Sequence, residues 1–131
     1  MADHSLLRLS AIEAAAAVRT RRISPVELID AVLDAAERTQ PTLNAFVTIC
    51  ADTARADARA AERSVTSGDP LGPLHGVPFS VKDLTWTHGL RTTMGSALFA
   101  DFVPDKDAVP VARLRQAGAI LIGKTTTPEF G

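Results

Sequence analysis

Apolar residues recur at helical spacing through the first half of the chain. The clearest case is a helix predicted from Ser24 to about Thr39, with Pro41 just after its end. Its inward stripe consists of Leu28, Val32 and Ala35, flanked by Ile29, Leu33 and Ala36. A stripe this wide must be covered by other parts of the protein, so the pattern predicts a packed core.

Two serines carry the local signals of a helix start. Ser10 is followed three residues later by Glu13, and this capping-box spacing opens an alanine-rich stretch that reaches about Thr20. Ser24 precedes Pro25 and has Glu27 at the same spacing, which is a stronger start because proline suits the first helical turn. The first third of the chain is therefore predicted to be helical.

The remainder of the chain alternates between strand and helix patterns. Residues 44–49 form a short β-prone run, and residues 76–82 (GVPFSVK) alternate between apolar and polar positions. Helices are predicted at 51–66, with a charged outer face, and at 108–117, before an apolar strand at 119–122. This order predicts an α/β fold. No repeat or low-complexity linker interrupts it, so residues 1–131 are predicted to form one domain segment without an internal boundary.

Composition excludes several classes of function. The 131 residues suffice for one domain with a core, and a hydrophobic share of 46% argues against disorder. A net charge of −1 gives no sign of a nucleic-acid or anionic-membrane partner. No apolar run approaches the ~20 residues that span a bilayer. The single cysteine, Cys50, excludes an internal disulfide, and we interpret it as a small buried apolar residue. We expect a cytoplasmic protein without a metal ion or cofactor.

The segment GAILIGKT, residues 118–125, fits the letter pattern of a phosphate-binding loop. Such a loop needs a strand before its first glycine and a long helix after its lysine, and here the predicted order is reversed. Gly118 stands where a glycine ends a helix, and the four residues after it read as a buried strand. We therefore reject nucleotide binding and interpret Lys124 as a polar residue just after a strand.

Lys82 is the stronger candidate for chemistry. It ends the strand predicted at 76–82 and precedes a long irregular segment, a combination typical of functional loops. An amine that loses contact with water at such a place gives up its proton more easily, and it can then activate a serine hydroxyl without a histidine. The alternative is a surface lysine, or one that pairs with the adjacent Asp83.

Several ordered blocks resemble one family. GPLHGVPFSVKD (72–83), TTMGS (92–96) and AGAILIGKTTTPEFG (117–131) are similar to the amidase signature family, and the block at 24–47 matches in order and spacing. The resemblance covers nearly the whole chain. It implies a large α/β fold in which helices surround a mixed sheet, of which this chain would be an incomplete, N-terminal part.

The resemblance also implies a function, the hydrolysis of a small-molecule amide by a Ser–cis-Ser–Lys triad. The family's lysine falls on Lys82, which would act as general base and acid through the cis-serine on the nucleophilic serine. The family's Gly/Ser-rich block, which holds both serines, has no match here. Ser80 and Ser96 lie in other blocks and are not assigned as nucleophiles. We expect the chain alone to be inactive, because triad members act as a unit.

Two alternatives remain open. Within the family, the chain could belong to the amide-transferring subunit of the amidotransferase that acts on misacylated tRNA, although KTTTPEFG looks more like the general amidases. Outside catalysis, the wide apolar helix faces and the terminal strand allow an inactive fragment that self-associates, and a homo-oligomer is accordingly an open possibility. Apart from tRNA under the first alternative, no nucleic acid and no membrane are expected as partners.

Other polar residues have weaker functional signals. His75 lies in a turn, where a loop hydrogen bond is the simpler interpretation, and His4 and His88 lack metal-ligand spacing. Trp86 and Arg91 are expected to pack or to lie at the surface rather than to bind substrate. The hydroxyls near the predicted loop are candidates for a pocket wall: Thr92, Thr93 and Ser96.

Overall fold

The computed structural model describes residues 5–131, and within them helices and strands alternate as an α/β fold requires. The elements are α1 (Ala11–Arg19), α2 (Pro25–Leu43), β1 (Phe46–Ile49), α3 (Ala51–Ser67), β2 (Pro78–Lys82), α4 (Val109–Gln116) and β3 (Ile120–Thr125). Short 3-10 turns occupy Leu6–Arg8 and Ala97–Phe99. The predicted fold class is confirmed, and each predicted helix and strand is present. None of the helices within 5–131 has the length and apolar character needed to cross a membrane.

Both predicted capping boxes are formed. The Ser10 hydroxyl accepts from the backbone N–H of Glu13 at 3.3 Å, and the Glu13 carboxylate accepts from the backbone N–H of Ser10 at 2.8 Å. Ser24 and Glu27 make the same reciprocal pair at the start of α2. These bonds satisfy N–H groups that an uncapped helix end leaves without partners, so the starts of α1 and α2 are encoded locally.

The end of α2 differs from the prediction. The helix was expected to stop near Thr39, but it continues through Pro41 to Leu43. A proline this close to the end removes only one backbone bond, and the Asn44 N–H still reaches the Gln40 carbonyl at 2.8 Å. Asn44 then adopts a left-handed conformation, φ 47°, and ends the helix.

The three strands form a mixed sheet in the order β1-β3-β2. β3 lies in the centre, antiparallel to β1 and parallel to β2. One core cluster joins α2, α3 and β3 through Ile29, Leu33, Ala54, Ala58, Ala61, Ile120 and Ile122. A second cluster packs α1 against α2, α3 and the residue before β2: Ala14, Ala15, Val18, Leu28, Val65 and Val77. The alanines of α3 recur on one face, which allows that helix to lie close to its neighbours.

The phosphate-loop pattern has a structural explanation. α4 ends in a Schellman motif: Gly118 N–H bonds to the Arg115 carbonyl, Ala119 N–H bonds to the Leu114 carbonyl, and Gly118 has φ 88°. The chain then enters β3, the central strand, so the segment cannot wrap a phosphate. The rejection of nucleotide binding at this segment is therefore supported. The expected place of Lys124 was wrong, because β3 runs to Thr125 and Lys124 lies inside it, fully buried.

Gly123 provides a test of this packing. A Cβ built at this position would lie 2.4 Å from the Thr48 carbonyl of β1 and 2.9 Å from the Phe46 ring. Because backbone cannot yield cheaply, we expect Gly123→Ala to lower the free energy of unfolding by about 3 kcal/mol, the upper end for overpacking. Urea unfolding of the chain measures the change.

The matched control is Gly68→Ala. Gly68 has φ 77° and an added Cβ would meet nothing within 4 Å, so it incurs only the left-handed backbone cost, about 1 kcal/mol. Equal losses for the two variants would contradict the close approach of β1 and β3 at Gly123.

Candidate active site

Lys82 is the last residue of β2, and its register partner Thr125 is the last residue of the parallel strand β3. The side chain is exposed. Within the part of the chain that the structure describes, its amine has no hydrogen-bond or ion-pair partner. The structure therefore places an uncommitted amine at the carboxyl edge of the parallel strands, where α/β proteins gather reactive groups. The shielding from water that we expected for this amine is not provided by residues 5–131.

Asp83 does not pair with Lys82. Its side chain is fully buried, and its Oδ2 accepts hydrogen bonds from the backbone N–H of Thr93, at 3.1 Å, and from the Thr93 hydroxyl. The interpretation of Lys82 as the partner of its neighbouring carboxylate is wrong, because Asp83 turns into the interior and leaves the Lys82 amine free.

Lys124 is the buried cation of this region, with no exposed surface. Its ammonium donates to the Thr85 carbonyl at 2.5 Å, to the Thr87 hydroxyl at 2.9 Å and to the Thr92 hydroxyl at 2.8 Å. The Asp83 Oδ1 atom lies 4.0 Å from its Nζ. Burial lowers the pKa of Lys124, and the Asp83 carboxylate opposes that shift. All three ammonium protons are committed, so this amine is structural.

The two lysines lie on opposite faces of the sheet. The register pairs Val81 with Lys124 and Lys82 with Thr125, and successive residues of a strand point to opposite faces. An irregularity between Phe79 and Ser80 sets this register, since Phe79 pairs with Leu121 and Ser80 with Gly123. Lys124 therefore faces the segment that follows β2, whereas Lys82 faces away from it.

The segment 84–107 folds back onto the strands as an ordered layer. The Met94 N–H bonds to the Asp83 carbonyl at 2.8 Å, and the Ala108 N–H bonds to the Trp86 carbonyl at 2.9 Å. Aromatic rings meet edge to face along it in the pairs Trp86–Phe102, Phe99–Phe102 and Phe99–Phe130, with centroids 5.4, 5.7 and 6.1 Å apart. Trp86 packs, as expected, while staying partly exposed.

The predicted pocket-wall hydroxyls are used internally. Thr92 accepts from Lys124, Thr93 donates to Asp83, and Ser96 donates to the Glu129 carboxylate at 2.7 Å. Thr87, which sequence reasoning missed, has the same kind of role as Thr92. The threonines that follow β2 were the available signal, but their presence does not show that a lysine in another strand points at them.

The remaining candidates take part in no catalytic cluster. His75 makes the expected loop hydrogen bond, its Nε2 lying 3.0 Å from the Ala61 carbonyl oxygen. Arg91 is exposed and donates to the Ala100 carbonyl at 3.1 Å. Cys50 is half-buried, and burial raises the pKa of its thiol. His4 lies outside the described residues, and the described part contains no His, Cys, Asp and Glu group able to hold a metal ion.

Comparison with known proteins identifies the family. The amidase family model matches residues 27–131. The chain belongs to the amidase signature family. It is 43% identical over 131 residues to an acylamidase of Rhodococcus erythropolis, covering 100% of this chain and 28% of that protein. It is 45% identical over 125 residues to a glutamyl-tRNA(Gln) amidotransferase subunit of Azoarcus sp. strain BH72, covering 95% of this chain and 26% of that protein.

The amidase fold is matched by solved structures as well. A bacterial aryl acylamidase of the amidase signature family superposes with a TM-score of 0.87 at 32% identity, over 94% of this chain and 26% of that one. The chain thus spans about a quarter of the length of the relatives that it matches. The segment that carries Lys82 and Lys124 lies entirely within the matched region.

Lys124→Met tests the structural role of the buried ammonium. Removing one partner leaves the buried Asp83 carboxylate uncompensated, so we expect the free energy of unfolding to fall by about 3–5 kcal/mol at neutral pH. Because the folded pKa of Lys124 is lowered, the unfolded chain binds more protons between that pKa and the ordinary lysine value of 10.5. The wild-type chain therefore gains stability as pH rises through this window, and its advantage over Lys124→Met widens.

Denaturant unfolding at several alkaline pH values measures this difference. Lys106→Met is the matched control, since Lys106 is exposed and lies over the Trp86 ring at 5.7 Å. It should change stability by less than about 1 kcal/mol, without the pH dependence. A gap between wild type and Lys124→Met that stays constant or narrows toward pH 10.5 would show that the ammonium is not desolvated.

Proposed function

We propose that this chain contributes Lys82 as the general base and acid of a Ser–cis-Ser–Lys triad that hydrolyses a small-molecule amide. Both serines are supplied by polypeptide outside residues 1–131. Membership in the amidase signature family supports the reaction class. The observation that carries the residue assignment is the uncommitted amine of Lys82 at the carboxyl edge of β2 and β3, next to a second lysine whose donors are all used.

The proposed chemistry is a proton relay. The Lys82 amine accepts a proton from the middle serine, which in turn takes the proton of the nucleophilic serine as its oxygen attacks the amide carbonyl carbon. The proton returns along the same path to the leaving amine, and water then hydrolyses the acyl-enzyme ester. Backbone N–H groups near the nucleophile stabilise the oxyanion. Further polypeptide covers the exposed Lys82 side chain and provides the shielding from water that the relay needs.

Lys82→Ala in the protein translated from the complete reading frame tests the assignment. We expect kcat for amide hydrolysis to fall by about 10²–10⁴-fold, the contribution of general acid–base catalysis. The rate is measured as the release of arylamine from an aryl acylamide. Lys106→Ala removes an exposed lysine whose ammonium lies over the Trp86 ring, and it should keep near-wild-type activity. Near-normal hydrolysis by a folded Lys82→Ala protein would defeat the proposal.

The amidotransferase alternative is favoured by the Azoarcus protein, whose identity to this chain is as high as that of the acylamidase. The two functions differ in the acceptor, since a transferring enzyme passes the ammonia that it releases to an activated carboxyl on tRNA. Assays of the complete protein with and without tRNA distinguish the two functions, because an amidase releases free amine or ammonia in the absence of tRNA. The TTTPEFG sequence after Lys124 favours the general amidases.

The alternative of a self-associating fragment has support in the surface of the chain. Large apolar side chains are exposed on α1, on the 84–107 segment and at the start of α4: Ile12, Leu98 and Val109 at 82%, 83% and 63%. Under our proposal the 131-residue chain alone does not turn over amides, and these side chains become covered by further polypeptide. Sedimentation of the isolated chain decides between the two. A compact monomer at tens of micromolar is expected, and a defined oligomer would favour self-association.

A further inference from the structure

The backbone on either side of Lys82 is fixed by the strands and by the segment after β2. The Asp83 N–H donates to the Thr125 carbonyl at 2.8 Å, and the Asp83 carbonyl accepts from the Met94 N–H at 2.8 Å. The Lys82 carbonyl accepts from the Thr85 N–H at 2.9 Å. The chain therefore turns immediately after Lys82, and the direction of the Lys82 side chain depends on how firmly this turn is held.

The Lys124 ammonium holds this turn against β3. It binds the Thr85 carbonyl and the hydroxyls of Thr87 and Thr92, three points spread over eight residues of the segment. Each hydroxyl in turn donates a hydrogen bond, Thr87 to the Thr85 carbonyl and Thr92 to the Leu90 carbonyl, both at 3.1 Å. Every donor of the ammonium is satisfied, and the first part of the segment, from Thr85 to Thr92, is tied to the central strand.

Charge adds a second constraint. Asp83 and Lys124 are both fully buried, and the Asp83 Oδ1 atom lies 4.0 Å from the Lys124 Nζ atom without a hydrogen bond of its own. The attraction between them is therefore electrostatic rather than a direct hydrogen bond. Moving the turn away from β3 would leave two opposite charges in the interior without compensation, which is costly.

We propose that Lys124, with Asp83, Thr87 and Thr92, forms a positioning network that holds Lys82 in the geometry needed for proton transfer. These are positioning residues, because none of them reaches the exposed face on which the Lys82 amine lies. The inference rests on the proposed function of Lys82 as the base. A general base must stay within hydrogen-bond reach of its hydroxyl, and a small displacement costs a large factor in rate.

Thr87→Val is the sharpest test, because it removes one acceptor of the ammonium and keeps the side-chain shape. In the protein translated from the complete reading frame, we expect kcat to fall by about tenfold while KM changes by less than about twofold. Thr87→Ser restores the hydroxyl and should restore kcat. Hydrogen exchange of the Thr93 and Met94 amides, which bond to Asp83, should speed up by at least about threefold in the valine variant.

Thr48→Val is the matched control. Thr48 is the register partner of Lys124 on β1, is half-buried, and takes no part in the network, so both readouts should match the wild type. A folded Thr87→Val protein with wild-type kcat would overturn the positioning role. A loss of kcat that Thr87→Ser does not restore would also overturn it. Near-normal activity of Lys82→Ala would instead defeat the proposed function, so the two failures are distinguishable.

Discussion

The burial of the Lys124 ammonium is the constraint on which the organisation of this region depends. A charge taken out of water must be given acceptors, and those acceptors come from one segment of chain: the Thr85 carbonyl and the hydroxyls of Thr87 and Thr92. The 84–107 segment contains only one short 3-10 turn of regular structure, so neither a long helix nor a strand ladder orders it. Backbone bonds within the segment, such as that from the Thr92 N–H to the Phe102 carbonyl, shape it, and the buried ammonium holds it against β3.

Lys82, on the adjacent strand, has an exposed environment for a geometric reason. The irregular register between β2 and β3 sets which residues share a face, and it places Lys124 under the segment and Lys82 away from it. Asp83, one residue beyond Lys82, is drawn inward by Thr93 and by the charge of Lys124. The two amines lie on adjacent strands but differ in their hydrogen bonding. The Lys124 ammonium has all its donors engaged, whereas the Lys82 amine is free at the strand edge.

Sequence reasoning succeeded where the determinants are local. The starts of α1 and α2 follow from capping boxes within four residues, and the end of α4 follows from the left-handed Gly118. It failed at Pro41, where the Asn44 cap and the late position of the proline outweighed a helix-breaking residue. The helix order and the mixed α/β class were predictable because hydrophobic periodicity is a property of single segments, whereas sheet register is not.

Only part of the candidate site could be predicted from the sequence. Lys82 was selected from its position after an alternating strand and from the resemblance of the surrounding block. The structure places it at the end of β2, as expected, and its catalytic role stays a prediction. The role of Lys124 could not be found, because the residues that bind it lie 32 to 39 positions away in the sequence and no local pattern links them. The letters GKT are typical of a phosphate-binding loop. In this fold, however, Gly123 provides room for the β1 backbone, and Lys124 binds groups inside the protein. A short pattern acquires its chemistry from the element that carries it, and a central strand leaves such a lysine no access to a ligand.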